Sequence, residues 1–265
     1  MNQVKQFAHL LSAGSEETIA KIEQYEREGR FNEHLDAQLA EGLVPVDKNY
    51  RYLPDTLGAK IRCLLANLFV VRPFVRYTNK KIFHTEVEGR EYLKGLKSAV
   101  IVCNHVNKLD CVAVMQAVRP KKVYTTAAPF NNMDGFLGDM MRAGGMLPLS
   151  EDFSAMKNLD KTIATVLKNG SFVSFYPECA EWWGYEKPRP HLTGAYRYAV
   201  KNRVPVLPLF ITFKGEKNGT KIRDFVVHIL PPVYPKGVDK IAAEEMKEEV
   251  LSSYRAVYEK SYRNA

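Results

Sequence analysis

Residues 99–118, AVIVCNHVNKLDCVAVMQAV, decide how this chain is read. An unbroken apolar run ends at Cys103, Asn104 and His105 occupy a turn, and Asp110 opens a second apolar stretch with helical spacing. A strand running into a turn and then a helix places His105 and Asp110 at the carboxyl end of a strand, where open α/β sheets hold their ligands. Histidine beside a carboxylate is a general base in waiting. The imidazole accepts a proton near neutral pH, and the anion fixes its tautomer and stabilises the imidazolium. Hydrogen-bonded His–Asp pairs also occur without catalysis, so the pair alone does not define an enzyme.

Outward from this stretch, strand-like runs at 82–87, 98–103, 121–126, 171–176, 204–213 and 224–231 alternate with helix-length segments, and a last helix begins near Asp239. This alternation predicts an α/β domain over 82–265, a mixed central sheet flanked by helices. Residues 1–55 read as an acidic helical extension. Ser15 is placed to cap a first helix that ends at Gly29, and a second helix is expected to end at Gly42.

The segment 56–81 differs in kind. Ile61, Leu64, Leu65, Leu68, Val71 and Val75 recur at helical spacing, with Lys60, Arg62, Arg72, Arg76, Lys80 and Lys81 around them. Its longest charge-free run, Cys63 to Val71, is too short for a hydrocarbon core that needs about 20 residues. Two readings fit: an amphipathic helix lying on an anionic membrane surface, or a helix packing its stripe on the protein's own core.

Composition narrows the partners. The chain of 265 residues carries a formal charge of +8, yet residues 1–50 hold five Lys/Arg against nine Asp/Glu, so the rest is strongly basic. Such a surface suits phosphorylated small molecules, an anionic bilayer or nucleic acid. No signature of a nucleic-acid-binding motif is present, and none is expected as a partner. The four cysteines, Cys63, Cys103, Cys111 and Cys179, lack zinc-ligand spacing, so no metal is expected. They read as free thiols in a reducing cytoplasm, and the N-terminus shows no signal-peptide pattern. No GxSxG elbow occurs, so the nucleophile is sought in the substrate, as an alcohol that His105 deprotonates.

Downstream blocks give the pair company. Residues 144–150 read GGMLPLS, residues 176–181 read Tyr-Pro-Glu-Cys-Ala-Glu after LKNGSFVSF, and residues 192–208 read LTGAYRYAVKNRVPVLP. Over roughly residues 82–235 the chain resembles the lysophosphatidate and glycerol-phosphate acyltransferase family in the order and spacing of four motifs. The family's first motif, Asn-His then Asp after four residues, is similar to Asn104, His105 and Asp110. Its second resembles the Gly144–Ser150 block. Its third, Phe-Pro-Glu-Gly-Thr-Arg, is similar to Tyr176–Glu181. Its fourth is similar to the block ending in Pro205 and Pro208.

The resemblance implies a mixed α/β acyltransferase fold. The implied reaction moves a fatty acyl group from acyl-CoA or acyl carrier protein to a hydroxyl of a lysophospholipid, in phospholipid biosynthesis at the cytoplasmic face of a membrane. The enzyme would be peripheral or monotopic and need no cofactor beyond its thioester co-substrate. His105 would be the base and Asp110 its support. Asn104 and Glu178 would serve the substrate, with Glu178 orienting the acceptor's polar end. Gly144 and Gly145 would bring backbone donors to the oxyanion, and Pro205 with Pro208 would shape the pocket wall.

Departures are equally plain. Ser150 and Glu181 stand where the family has arginines near the acceptor's phosphate. Either Arg142, Lys187, Arg189 or Arg197 takes over, or the acceptor differs from lysophosphatidate. Trp182 and Trp183 suit a lipid-facing rim or ordinary burial. A thioesterase, with water as acceptor, and a non-catalytic lipid-binding protein are the alternatives that share this pattern.

Overall fold

The computed structural model describes residues 14–35, 41–215 and 223–263. The first element among the described residues is α1 (Glu16–Glu28), whose first turn is capped by the Ser15 hydroxyl accepting the Thr18 N–H at 3.1 Å and whose end is closed by Gly29 in the left-handed conformation. Residues 30–35 form turns and 36–40 lie outside the described residues, so the second helix is absent from its described part. Gly42 sits instead in a bend, where its carbonyl accepts the Asp134 N–H beside a Leu43–Met133 bridge.

Next come α2 (Leu57–Ala66), a π-helical turn (Asn67–Val71) and α3 (Arg72–Lys81). One helix was expected here; Pro73 explains the wider turn. Proline has no N–H for the carbonyl four residues back and its ring crowds it. The Arg72 N–H accordingly reaches Asn67, five residues back. The domain continues with β1 (Glu86–Glu88), β2 (Ala99–Cys103), α4 (Asp110–Ala117), β3 (Val123–Ala127), α5 (Gly135–Ala143), β4 (Met146–Pro148) and α6 (Phe153–Lys168). It closes with β5 (Phe172–Phe175), α7 (Gly194–Asn202), β6 (Val206–Lys214), β7 (Asp224–Ile229) and α8 (Lys240–Tyr262).

These strands form one mixed sheet in the order β1-β7-β6-β2-β5-β3-β4. Strand β2 lies between β5 and β6, parallel to both, and only the β6–β7 pair is antiparallel. All five β2 residues are buried, as an unbroken apolar strand covered on both faces requires. Alternation sends Ile101 and Cys103 to one face, with α3 and α4, and Val100 and Val102 to the other, with α6, α7 and α8. The hydroxyl of Tyr254 on α8 lies within hydrogen-bonding reach of the Val102 and Leu209 carbonyls, bracing β2 against β6 from that second face.

The apolar stripe of 56–81 is split between the two readings. Val71, Phe74 and Val75 pack into the core, whereas Ile61, Leu64, Leu65, Leu68 and Phe69 are exposed, Phe69 at 72%. Among the described residues no helix is long and apolar enough to cross a membrane.

Candidate active site

The turn after β2 is built around one carboxylate. Asp110, fully buried in the first turn of α4, accepts the backbone N–H groups of Val106 at 2.7 Å and Asn107 at 3.0 Å on its Oδ2. The Asn107 side chain caps the same turn by accepting the Leu109 N–H at 2.9 Å. The Oδ2 of Asp110 also lies 3.0 Å from His105 Nδ1. An oxygen already accepting two N–H groups is an acceptor for the imidazole too, so Nδ1 carries the proton and Nε2 presents its lone pair. The His105 side chain is 22% exposed, so that lone pair sits on an accessible ring.

Burial pushes the Asp110 carboxyl above its usual range, and the His105 contact and the two backbone donors pull against that rise. A buried anion with these donors gains most when the ring beside it becomes cationic, which is the demand general-base catalysis makes.

Further contacts hold the His105 ring and its backbone. Asn104 is spent on the scaffold: its amide donates to the Ile211 carbonyl at 2.9 Å and accepts the Ile211 N–H at 2.8 Å, continuing the β2–β6 ladder through a side chain as the backbone turns away. The ring of Tyr176, just beyond β5, stacks on His105 with centroids 4.3 Å apart. The His105 backbone N–H donates to Glu178 Oε2 at 2.9 Å, and its carbonyl accepts from Trp182 N–H and Arg189 Nη2.

Glu178 and Arg189 form an ion pair with both side chains 1% exposed. Arg189 spends its other donors on the Phe31, Ala180 and His105 carbonyls, and its guanidinium covers the Trp182 ring. Burial raises the Glu178 carboxyl, but the Arg189 guanidinium, His191 and the two backbone donors outweigh it and hold the group below its ordinary range. The expectation that Glu178 orients an acceptor is therefore corrected: this carboxylate is sealed in the loop and holds the His105 backbone.

Sheet register separates other expected site residues from the base. Met146 pairs with Thr125, Thr125 with Ser174 and Ser174 with Ile101, so Gly145 lies one residue before the level of Ile101 and three strands away from β2. Strand spacings put it roughly 16 Å along and about 14 Å across the sheet from His105. Its N–H goes to the Arg142 carbonyl and that of Gly144 to the Met140 carbonyl. Neither glycine can supply the oxyanion donor. Gly145 instead has φ +103° and passes so close to the Val123 carbonyl that a Cβ would stand 2.8 Å from it. Pro205 precedes the Val206–Val100 pair, roughly 20 Å along the sheet from His105, and forms no wall of the site. Pro208 is in register with Val102 inside the sheet.

Arg142 and Lys187, like Arg189, are engaged elsewhere. Arg142 binds Asn132, the Met133 carbonyl and Asp139 at 2.8 Å each. Lys187 pairs with Glu26 of α1. Arg197 is exposed on α7 and lines a surface groove of about 430 Å³ with Lys201, Arg203 and Lys240. Ser150 donates to the Val46 carbonyl. Trp182 and Trp183 are both buried, which corrects the lipid-rim reading. Trp182 packs with Phe31 and Tyr25 of the N-terminal segment and donates to the Glu33 carbonyl.

That segment is the part of the site the sequence did not reveal. Residues 14–35 cover the 177–192 loop, and 41–55 run along the sheet edge beyond β3 and β4, contacting Asn132, Ser150, Ala155 and Asn158. Cysteine chemistry has no support in this setting. Burial pushes Cys111 up to about 12, and Cys103 rises well above its ordinary value for the same reason. Among the described residues no cluster of three or more His, Cys, Asp or Glu is placed to hold a metal ion.

A mixed α/β sheet with a His–Asp pair at the carboxyl end of its central strand defines a class, and comparison with known proteins shows what it is similar to. The Acyltransferase family model matches residues 84–212. In fold the chain is similar to the crystal structure of PlsC, the 1-acyl-sn-glycerophosphate (LPA) acyltransferase of Thermotoga maritima. The TM-score is 0.53 at 19% identity, over 75% of this chain and 88% of that one. A comparison with curated proteins gives no match.

Proposed function

We propose that this acyltransferase moves a fatty acyl group from a thioester, on coenzyme A or acyl carrier protein, to a free hydroxyl of a lysophospholipid at a bilayer surface, as a step of phospholipid biosynthesis. The observation that carries the reading is the His105–Asp110 pair at 3.0 Å, with Nδ1 committed to the carboxylate. Nε2 takes the proton of the acceptor hydroxyl as its oxygen attacks the thioester carbonyl. The tetrahedral adduct collapses, the carbon–sulfur bond breaks, and the departing thiolate recovers the proton from the imidazolium. Asp110 stabilises that cation. A positioned base of this kind contributes about 10² to 10⁴ in rate.

The exposed row Ile61, Leu64, Leu65, Leu68 and Phe69, with Lys60, Arg62, Arg72 and Arg76 beside it, suits a headgroup layer of anionic lipid. We infer a peripheral or monotopic enzyme on this basis, at the cytoplasmic face because its cysteines are free thiols. The test offers acyl-CoA and acyl carrier protein thioesters with a panel of lysophospholipids and glycerol phosphate on vesicles, read by mass spectrometry. A new acylated lipid from one acceptor names the substrate. Release of free fatty acid without any acceptor product would make the protein a thioesterase instead.

A further inference from the structure

The same face of the sheet holds polar atoms that the His–Asp pair leaves unexplained. Both backbone donors and the imidazole go to Asp110 Oδ2, so Oδ1 of this fully buried carboxylate has no hydrogen-bond partner. Thr125 Oγ1 is likewise buried and unpartnered, and the buried Tyr176 hydroxyl and Ser174 Oγ have only each other within reach. The three hydroxyls share the face of the sheet that packs the helix carrying Asp110. Ser174 is in register with both Thr125 and Ile101. It alternates with Phe172 onto the face that packs α4, and Tyr176 follows two residues later on that face. Burial raises the Tyr176 phenol well above its ordinary value, the nearby Cys111, Asp110 and Cys103 add to the rise, and a hydrogen bond with Ser174 opposes it.

A buried carboxylate oxygen without a donor is costly, and so is a buried hydroxyl without an acceptor. Three donors and one anionic acceptor in a single layer offset one another if they are joined. Four polar atoms on this face are enough for the two to four partners a buried water needs.

We propose that Tyr176 is a positioning residue for the base: its hydroxyl donates to Asp110 Oδ1 through one ordered water that Ser174 and Thr125 help to hold, while its ring supports the imidazole face. The hydroxyl belongs to this chain in particular, because the resembling third motif has phenylalanine at this place. Donation to Oδ1 draws negative charge away from Oδ2. It thereby moderates the pull of Asp110 on the imidazole proton and keeps the carboxylate from rotating.

The inference rests on the acyl-transfer reading only for its kinetic arm. The first arm labels the full-length protein with ¹⁵N-histidine and follows the Nδ1–H resonance of His105, identified by its loss in His105→Ala. Tyr176→Phe keeps the ring and removes the donor, so Oδ2 becomes the stronger acceptor and the resonance moves downfield. Ser174→Ala moves it in the same direction by less, and decides the matter if Tyr176→Phe does not fold. In the kinetic arm, the acid limb of kcat/KM in Tyr176→Phe moves to higher pH by about half a unit to one unit, the worth of one hydrogen bond. A resonance unmoved in both variants overturns the proposal whether or not the wild type transfers acyl groups. Absence of transfer by the wild type counts against the function alone.

Discussion

Glu178 Oε2 lies 2.9 Å from the backbone nitrogen of His105, so a carboxylate from the loop after β5 holds the turn that β2 feeds into. Its charge is matched by Arg189 with both side chains almost wholly buried. Removing one member of such a pair leaves the other charge without compensation. Arg189→Met should therefore cost about 3 to 5 kcal/mol in urea unfolding. Glu178→Gln keeps an acceptor for the His105 N–H but leaves the guanidinium unmatched. It should lose stability on the same scale and lower kcat, with little change in KM for the thioester, because the carboxylate touches no substrate.

The outward row on α2 and the π turn has its own test. Each cation near an anionic surface is worth about 1 kcal/mol, so Arg72→Gln with Arg76→Gln should weaken binding to anionic vesicles roughly 30-fold at low salt. Binding of the wild type should fall as salt rises. Phe69→Asp should weaken binding to neutral vesicles too, because it removes apolar contact. Cosedimentation equal to wild type for all these variants would remove the membrane role from this segment.

His191, between Tyr196 and Tyr254, is held down to about 4, first by burial and then by Arg189 and Lys247, against an opposing pull from Glu178. In the unfolded chain it takes up a proton near pH 6.5. Between those values the unfolded state binds more protons, so stability rises with pH, and the contribution present at pH 7 is lost as pH falls from about 6.5 towards 4. The full loss amounts to roughly 3 kcal/mol. Urea midpoints from pH 7 to 4.5 should fall less steeply in His191→Gln than in wild type; equal slopes would assign the acid sensitivity to other groups.

The stretch 99–118 was legible because an unbroken apolar strand, a short polar turn and an apolar helix each carry a local signal. The edge strand β4 was missed, since three residues give no periodicity. Gly144, Gly145 and Pro205 were misplaced for a different reason. Motif blocks are equally visible at either end of a strand, and only register shows that these residues lie at the amino-terminal side while His105 lies at the other. Two of the cations were misread because their partners are remote: Lys187 meets Glu26 and Arg189 meets Phe31, pairings more than a hundred residues apart in the chain. An acidic helix reads as a solvated surface, and nothing local in it announces that Trp182 lies beneath.

The measurement that bears most directly on the central claim is the single-turnover rate of acyl transfer on vesicles by wild type and His105→Ala, with vesicle binding and urea stability measured on the same samples. A fall of about 10² to 10⁴ in rate, with binding and fold unchanged, is the predicted result for removal of a general base. A His105→Ala rate within a few-fold of wild type would contradict it and take His105 out of the chemistry.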